Sequence, residues 1–241
     1  MLMRLFKWIR TLSHSTPYET GLSEEYMNYA EFAYPSNHTY KITHRKLSPK
    51  RKLNQRYNKI RTLFPTPLTS LADIGCSKGF FVFSASHYPS CTRSMGIDIT
   101  DYDICFCRQV QSYLDHQNVQ FENLKLHEFA NRINEFGGPF QTVLLLNIYQ
   151  YLYFGSDRFA DHYLDHHLIF KNLRDICNQR IIFSNRVNWS DCQNDHWINL
   201  AGQKRLDYSE ANIMEAASDY FNVSKQGYIG RYPLWTLDAK I

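Results

Sequence analysis

Apolar residues along the chain fall into short, nearly unbroken runs separated by stretches in which they recur every three or four positions. Ser70–Ile74, Arg93–Ile99, Val119–Phe121, Phe140–Asn147 and Arg180–Asn185 are runs of the first kind. Bounded by Gly, Pro and Asn, such runs predict strands covered on both faces. The intervening stretches predict helices at about Phe80–Ala85, Tyr102–His116 and Asp157–Asn178, with another at Ser209–Asp219 after a polar insertion. Asn222–Ile229 and Tyr232–Leu237, joined near Gly230, read as a closing hairpin. Five strand–helix alternations followed by that hairpin predict an α/β fold: a doubly wound, seven-stranded, mostly parallel sheet with an antiparallel C-terminal hairpin. Residues 1–68 read as an N-terminal helical and basic extension, and residues 69–241 as the principal domain.

The junction after the first sheet strand carries the most chemistry. Leu71-Ala-Asp73-Ile-Gly75-Cys76-Ser77-Lys78-Gly79-Phe80 passes from a buried strand through a glycine turn into a helix, a geometry that holds nucleotide-like cofactors. A dinucleotide fingerprint requires a second glycine where this chain has Ser77, so it fails. A Walker loop fails too, because Lys78 is followed by Gly79 and Phe80 rather than by Ser or Thr. Asp73 argues against a phosphate at this turn: its carboxylate repels pyrophosphate but accepts hydrogen bonds from an ammonium group.

The remaining pattern, Asp-x-Gly-x-x-x-Gly, resembles motif I of the class I S-adenosylmethionine-dependent methyltransferases. The resemblance spans about Thr66–Ile241 and implies a Rossmann-like methyltransferase fold with S-adenosylmethionine as cofactor. It implies that Asp73, Gly75, Cys76, Ser77, Gly79 and Phe80 surround the methionine end. Asp98, ending the second strand 25 residues after Asp73, then takes the ribose hydroxyls beside Ile99. Asn123 and Leu124 are expected at the adenine. Asn147-Ile-Tyr149-Gln150-Tyr151 resembles motif IV, so Asn147 is expected under the transferred methyl. Many members carry a His where this chain has Tyr151, which makes Tyr151 a candidate catalytic residue. Arg56 lies about where some relatives place a cation over the cofactor carboxylate. The Asn/Asp-Pro-Pro-Tyr/Phe segment of enzymes that methylate base amines is absent.

Methyl transfer from a sulfonium needs positioning more than covalent help. An insertion at 185–208 lies where ligands bind in open α/β sheets and suits a lid over the acceptor. Within it His196, beside Asp195, is a candidate base, because imidazole titrates near neutrality. His162, His166 and His167 read as a charged helix face.

The net charge is only +4, from 27 Lys and Arg against 23 Asp and Glu. Yet Lys41–Arg61 holds nine Lys and Arg and no acid, an asymmetry that suits a phosphate-bearing substrate. Six cysteines show no Cys-x-x-Cys spacing, so we expect free thiols, no zinc and a cytoplasmic protein. No run approaches the roughly 18 apolar residues of a membrane span, and no secretory signal is expected at the start. Residues 1–12 nevertheless place Leu2, Leu5, Phe6, Ile9 and Leu12 on one helical face. That face suits docking on the protein's own fold or a weak membrane-surface contact.

The expected function is methyl transfer to a small or carrier-linked metabolite through an O or N acceptor. A tRNA- or RNA-modifying enzyme of the same fold ranks second, with nucleic acid as partner. A binding protein that has lost turnover ranks third.

Overall fold

The computed structural model describes residues 21–156, 161–192, 204 and 206–240. A helix, α1 (Glu24–Phe32), leads to a two-stranded antiparallel hairpin, β1 (Tyr40–Thr43) with β2 (Lys46–Pro49), and then to α2 (Arg51–Arg61). From residue 21 onward the extension is therefore a helix–hairpin–helix unit and not purely helical. Its basic run is divided between hairpin and helix. Lys41 and Lys50 both pair with Glu31, and Arg56 is buried.

β3 (Ser70–Ile74), α3 (Phe80–Ser86), β4 (Arg93–Asp98), α4 (Asp101–Leu114) and β5 (Val119–Asn123) follow, then α5 (Leu126–Asn131), β6 (Phe140–Leu146) and α6 (Tyr149–Phe154). The chain closes with α7 (His166–Ile176), β7 (Cys177–Ser184), α8 (Glu210–Ser218), β8 (Phe221–Ile229) and β9 (Tyr232–Ala239). Strand order in the large sheet is β5-β4-β3-β6-β7-β9-β8. The pairs from β5 to β7 are parallel, and β9 runs antiparallel between β7 and β8. This is the expected seven-stranded sheet with its antiparallel hairpin. Order reverses between β3 and β6, so the crevice beyond their carboxyl ends is where such a sheet binds ligands.

Alternation along the central strands divides the core in two. Val143 and Leu145 of β6 face the layer of α5, α6, α7 and α8, whereas Leu144 and Leu146 face α3, α4 and the N-terminal unit. Strands buried on both faces lose the polar alternation of an exposed sheet, which is why β6 reads as a continuous apolar run. Tyr40, Leu53 and Ile60 of the N-terminal unit share the second core with Leu71 and Phe80.

Helix α7 is shorter than its periodicity suggests. Tyr163 N and Leu164 N donate to the Leu152 and Tyr153 carbonyls, and Leu164 has φ +47°, so residues 163–164 cannot be helical. Asp165 then caps the helix by accepting from Leu168 N. The histidines around it do not form one charged face. His167 is exposed beside Asp219, but His166 is buried against the Tyr153 ring at 4.3 Å. His166 Nδ1 lies 2.7 Å from the Tyr149 hydroxyl and Nε2 lies 3.1 Å from the Asp207 carbonyl. The Asp207 carbonyl can only accept, so Nε2 carries a proton, and in the neutral ring Nδ1 accepts from the Tyr149 hydroxyl.

Burial holds the His166 pKa below its ordinary value of 6.5. The unfolded chain therefore takes up the proton first, and the stability held at higher pH is lost as pH falls below about 6.5. Replacing His166 by Leu should cost about 1–3 kcal/mol at neutral pH, because it strands the Tyr149 hydroxyl. Urea unfolding between pH 5 and pH 8 should show the wild-type decline, and the variant should lack His166's share of it.

Candidate active site at the carboxyl edge of the sheet

The turn after β3 is built by backbone geometry that only certain residues permit. Gly75 and Gly79 both have φ +71°, and Ser77 has φ +47°. A Cβ on Gly79 would approach Phe121 Cζ to 2.8 Å, and one on Gly75 would approach Ile148 Cδ1 to 2.9 Å. Gly75 N and Cys76 N both donate to the Ile97 carbonyl, at 2.9 and 3.0 Å. The turn is thereby tied to β4 just before Asp98. Ser77 N donates to Asp98 Oδ2 at 2.9 Å and Thr100 N to Oδ1 at 3.0 Å, which fixes the carboxylate and leaves each oxygen a lone pair. Asn123 Nδ2 donates to the Asp98 carbonyl at 3.1 Å.

Cys76 and Phe80 send their side chains into the core, so only their backbone can face a ligand. Asp73 is buried at 3% exposure. Burial pushes its pKa up to about 7, with Asp98 adding to the rise and Arg56 opposing it. Arg56 itself is 7% exposed, and its Nη1 lies 2.6 Å from His38 Nε2. Burial lowers the guanidinium to about 10, while Asp73 raises it. Burial, Arg56 and Lys78 hold the His38 ring neutral. Lys78 Nζ donates to the Ala33 carbonyl and the Tyr40 hydroxyl to the Lys78 carbonyl, each at 2.6 Å. The N-terminal unit is thus fastened to the turn on the Asp73 side.

Across the crevice, Asn147 leaves β6 with φ +62°, and its N–H donates to the Ser184 carbonyl at 2.8 Å. Asn185 holds the next residues. Its Oδ1 accepts from Ile148 N and Tyr149 N at 2.7 and 2.9 Å, and its Nδ2 donates to the Leu145 carbonyl at 2.7 Å. Gln150 Nε2 donates to the Asn147 carbonyl at 2.9 Å.

A cavity of about 700 Å³ lies between these two turns, walled by Gly75, Asp98, Ile99, Leu124, Ile148 and Tyr151. It extends between α5 and α7 to His127 and Lys171. The chain therefore gathers Gly75, Asp98, Ile99, Leu124 and Tyr151 on one cavity. Asp73, Ser77 and Arg56 lie beside its turn, Asn123 borders a smaller adjoining hollow, and Asn147 begins the opposite wall. Burial raises the Tyr151 pKa against the pull of Arg186, so its hydroxyl keeps its proton at neutral pH. His196, with Asp195, lies outside the described residues. All six cysteines are free thiols, and the described residues hold no cluster of three metal ligands.

The cavity thus has apolar walls at Ile99, Leu124 and Ile148 and, at Asp98, a carboxylate fixed by two backbone N–H groups. No family model and no curated protein matches the sequence. Solved structures do. A bifunctional kinase-methyltransferase, WbdD, aligns over 79% of this chain with a TM-score of 0.58 at 16% identity. The N-methyltransferase NodS of Bradyrhizobium japonicum aligns over 78% with 0.53 at 12%. An O-methyltransferase family protein of Burkholderia thailandensis aligns over 78% with 0.54 at 14%. The chain has the class I methyltransferase fold. It spans 97% of the NodS chain, 57% of the Burkholderia chain and 40% of the WbdD chain.

His38, Ile148 and Asn185 were not singled out as site residues from sequence. A strand ending in Ser184-Asn185 opposite Leu146-Asn147 was the available signal for Asn185, because a buried amide at a strand tip must find partners nearby. Replacing Asn185 by Ala removes three hydrogen bonds and strands two buried N–H groups, at a cost of about 2–4 kcal/mol. Thermal unfolding should move accordingly; an unchanged midpoint would show that the Ile148 turn holds without it.

Proposed function

We propose that the protein is an S-adenosylmethionine-dependent methyltransferase acting on a small or carrier-linked metabolite that bears a phosphate or similar anion. The observation that carries this reading is the pair of acids at neighbouring strand tips. Asp98 is fixed by two backbone N–H groups beside an apolar cavity, and Asp73 is buried beside Arg56. In this reading Asp98 accepts the ribose hydroxyls, while Ile99, Leu124 and Ile148 enclose the adenine with Asn123 at its edge. Asp73 draws the ammonium and Arg56 the carboxylate of the methionine end. Gly75, Cys76, Ser77, Gly79 and Phe80 supply the turn along which the ligand lies.

The bound sulfonium supplies an activated methyl group. The chain's share is to hold the acceptor in line and to exclude water. Asn147 and Tyr151 would share that work, with the segment 185–208 as the candidate lid over the acceptor and His196 as the candidate base within it. The N-terminal unit closes the Asp73 side of the site. Among the described residues no helix is long and apolar enough to cross a membrane, and six free thiols suit a reducing, cytoplasmic setting.

Calorimetry with S-adenosylhomocysteine tests the reading. The wild type should bind it, and Asp98→Ala should weaken binding at least about tenfold through lost charge-assisted hydrogen bonds. Because Asp73 titrates at about 7, its favourable charge grows as pH rises. Affinity should therefore tighten from about pH 6 to pH 8, and Asp73→Asn should flatten that slope. No heat of binding at millimolar ligand would overturn the reading.

A further inference from the structure

The cavity that Asp98 borders does not end at the sheet. It continues between α5 and α7, where Tyr163, Leu168 and Asn172 join Leu124 and Leu152 in its wall. Both lysines at this end are already paired: Lys125 with Asp161, and Lys171 with Asp175 at 3.2 Å. What remains for a ligand is neutral hydrogen-bonding capacity. Asn172 is 7% exposed, and its Nδ2 donates to the Leu168 carbonyl at 2.8 Å. That carbonyl can only accept, which fixes the amide nitrogen on its side and turns Oδ1 away from it. Oδ1 has no partner among the described residues.

Tyr163 is the complementary case. The segment between α6 and α7 holds it, with its N–H on the Leu152 carbonyl at 2.9 Å and its ring 6.4 Å from the His127 ring. Burial raises its pKa to about 12, against a His127 backbone N–H that faces the phenol oxygen. The hydroxyl therefore keeps its proton, and among the described residues that proton has no acceptor. One wall of the cavity thus carries an acceptor without a donor and a donor without an acceptor, and two such buried groups call for an occupant.

We propose that Asn172 and Tyr163 read the far edge of the cofactor's adenine, with Asn172 Oδ1 accepting from the N6 amino group and the Tyr163 hydroxyl donating to N1. Their role rests on the methyltransferase reading, which puts the ribose on Asp98 and the base between Ile99 and Ile148. A purine joins its ribose through N9, so the edge carrying N1 and the amino group is the one farthest from Asp98, and it enters the space between α5 and α7. Only one assignment of the two protein groups fits that edge, because N1 can only accept and the amino group only donate. Hypoxanthine reverses both, with a proton on N1 and an oxygen at C6, which sets oxygen against Asn172 Oδ1. Asn123 stays nearer the ribose, where it holds the Asp98 carbonyl.

Calorimetry of the full chain with S-adenosylhomocysteine and with S-inosylhomocysteine tests this. The wild type should bind the adenosyl compound at least about tenfold more tightly, since the inosyl compound loses a hydrogen bond and leaves a buried acceptor facing another. Tyr163→Phe and Asn172→Leu should each weaken S-adenosylhomocysteine about tenfold and S-inosylhomocysteine less, so that the preference falls. A structural role alone would not move that ratio. Tyr163→Phe also removes a hydroxyl that has no acceptor in the free protein, so its unfolding midpoint in urea should hold or rise while ligand affinity falls. It stays informative if Asn172→Leu, which gives up the bond to the Leu168 carbonyl, disturbs the fold. Equal affinity for the two ligands, or S-adenosylhomocysteine affinity indifferent to both substitutions, overturns the edge assignment and leaves the cofactor reading standing. No binding of S-adenosylhomocysteine by the wild type overturns both.

Discussion

Convergence of the Gly75 and Cys76 N–H groups on the Ile97 carbonyl is the constraint on which the site depends. It brings the turn after β3 against the end of β4, so that the next N–H, from Ser77, reaches Asp98. One short segment thereby sets both the path of the backbone and the orientation of a carboxylate. A side chain at Gly79 would drive Phe121 and Cys107 away, and one at Gly75 would push out Ile148 and with it the opposite wall. The two walls are interdependent because Asn185 holds the Ile148 turn through three hydrogen bonds of its own. Such a site is pre-organised before any ligand arrives, as positioning catalysis requires.

The N-terminal unit belongs to the same physical system. Its tyrosines and Leu53 pack into the core behind β3, and it delivers Arg56 and His38 to the side of Asp73. Burial raises Asp73 and lowers Arg56, and each ionised group moderates the shift of the other. The pair costs desolvation, which a ligand with both an ammonium and a carboxylate offsets by supplying each with an opposite charge. Toward β7 and β9 the sheet edge changes character, with two guanidiniums around Tyr232. The edge of the sheet thus passes from acids on the Asp98 side to cations on the other.

Sequence made much of the sheet readable because its strands are covered on both faces and interrupted by turn residues. Ser70–Ile74 could be bounded from Gly75 and the preceding Pro67 alone. Asp98, Gly75, Ile99 and Leu124 were identifiable because a parallel strand ends at the ligand-binding edge, so a residue's place in the pattern also gives its place in space. Helix α7 is shorter than its pattern, since the periodicity continues upstream through residues that two backbone hydrogen bonds to α6 hold out of the helix. The hairpin of residues 40–49 and the contact between His38 and Arg56 were invisible for a different reason. They depend on packing against distant elements, which local spacing does not encode. His166 looked like one more surface histidine, and only tertiary contact reveals it as a buried link between Tyr149 and the Asp207 carbonyl.

A crystal structure of the full chain with S-adenosylhomocysteine tests the central claim most directly. The account requires both ribose hydroxyls on the Asp98 carboxylate, the adenine between Ile99 and Ile148, and the amino acid end against Asp73 and Arg56. A ligand lying elsewhere, or a ribose held by another residue while Asp98 keeps only its contacts to Ser77 and Thr100, would contradict it.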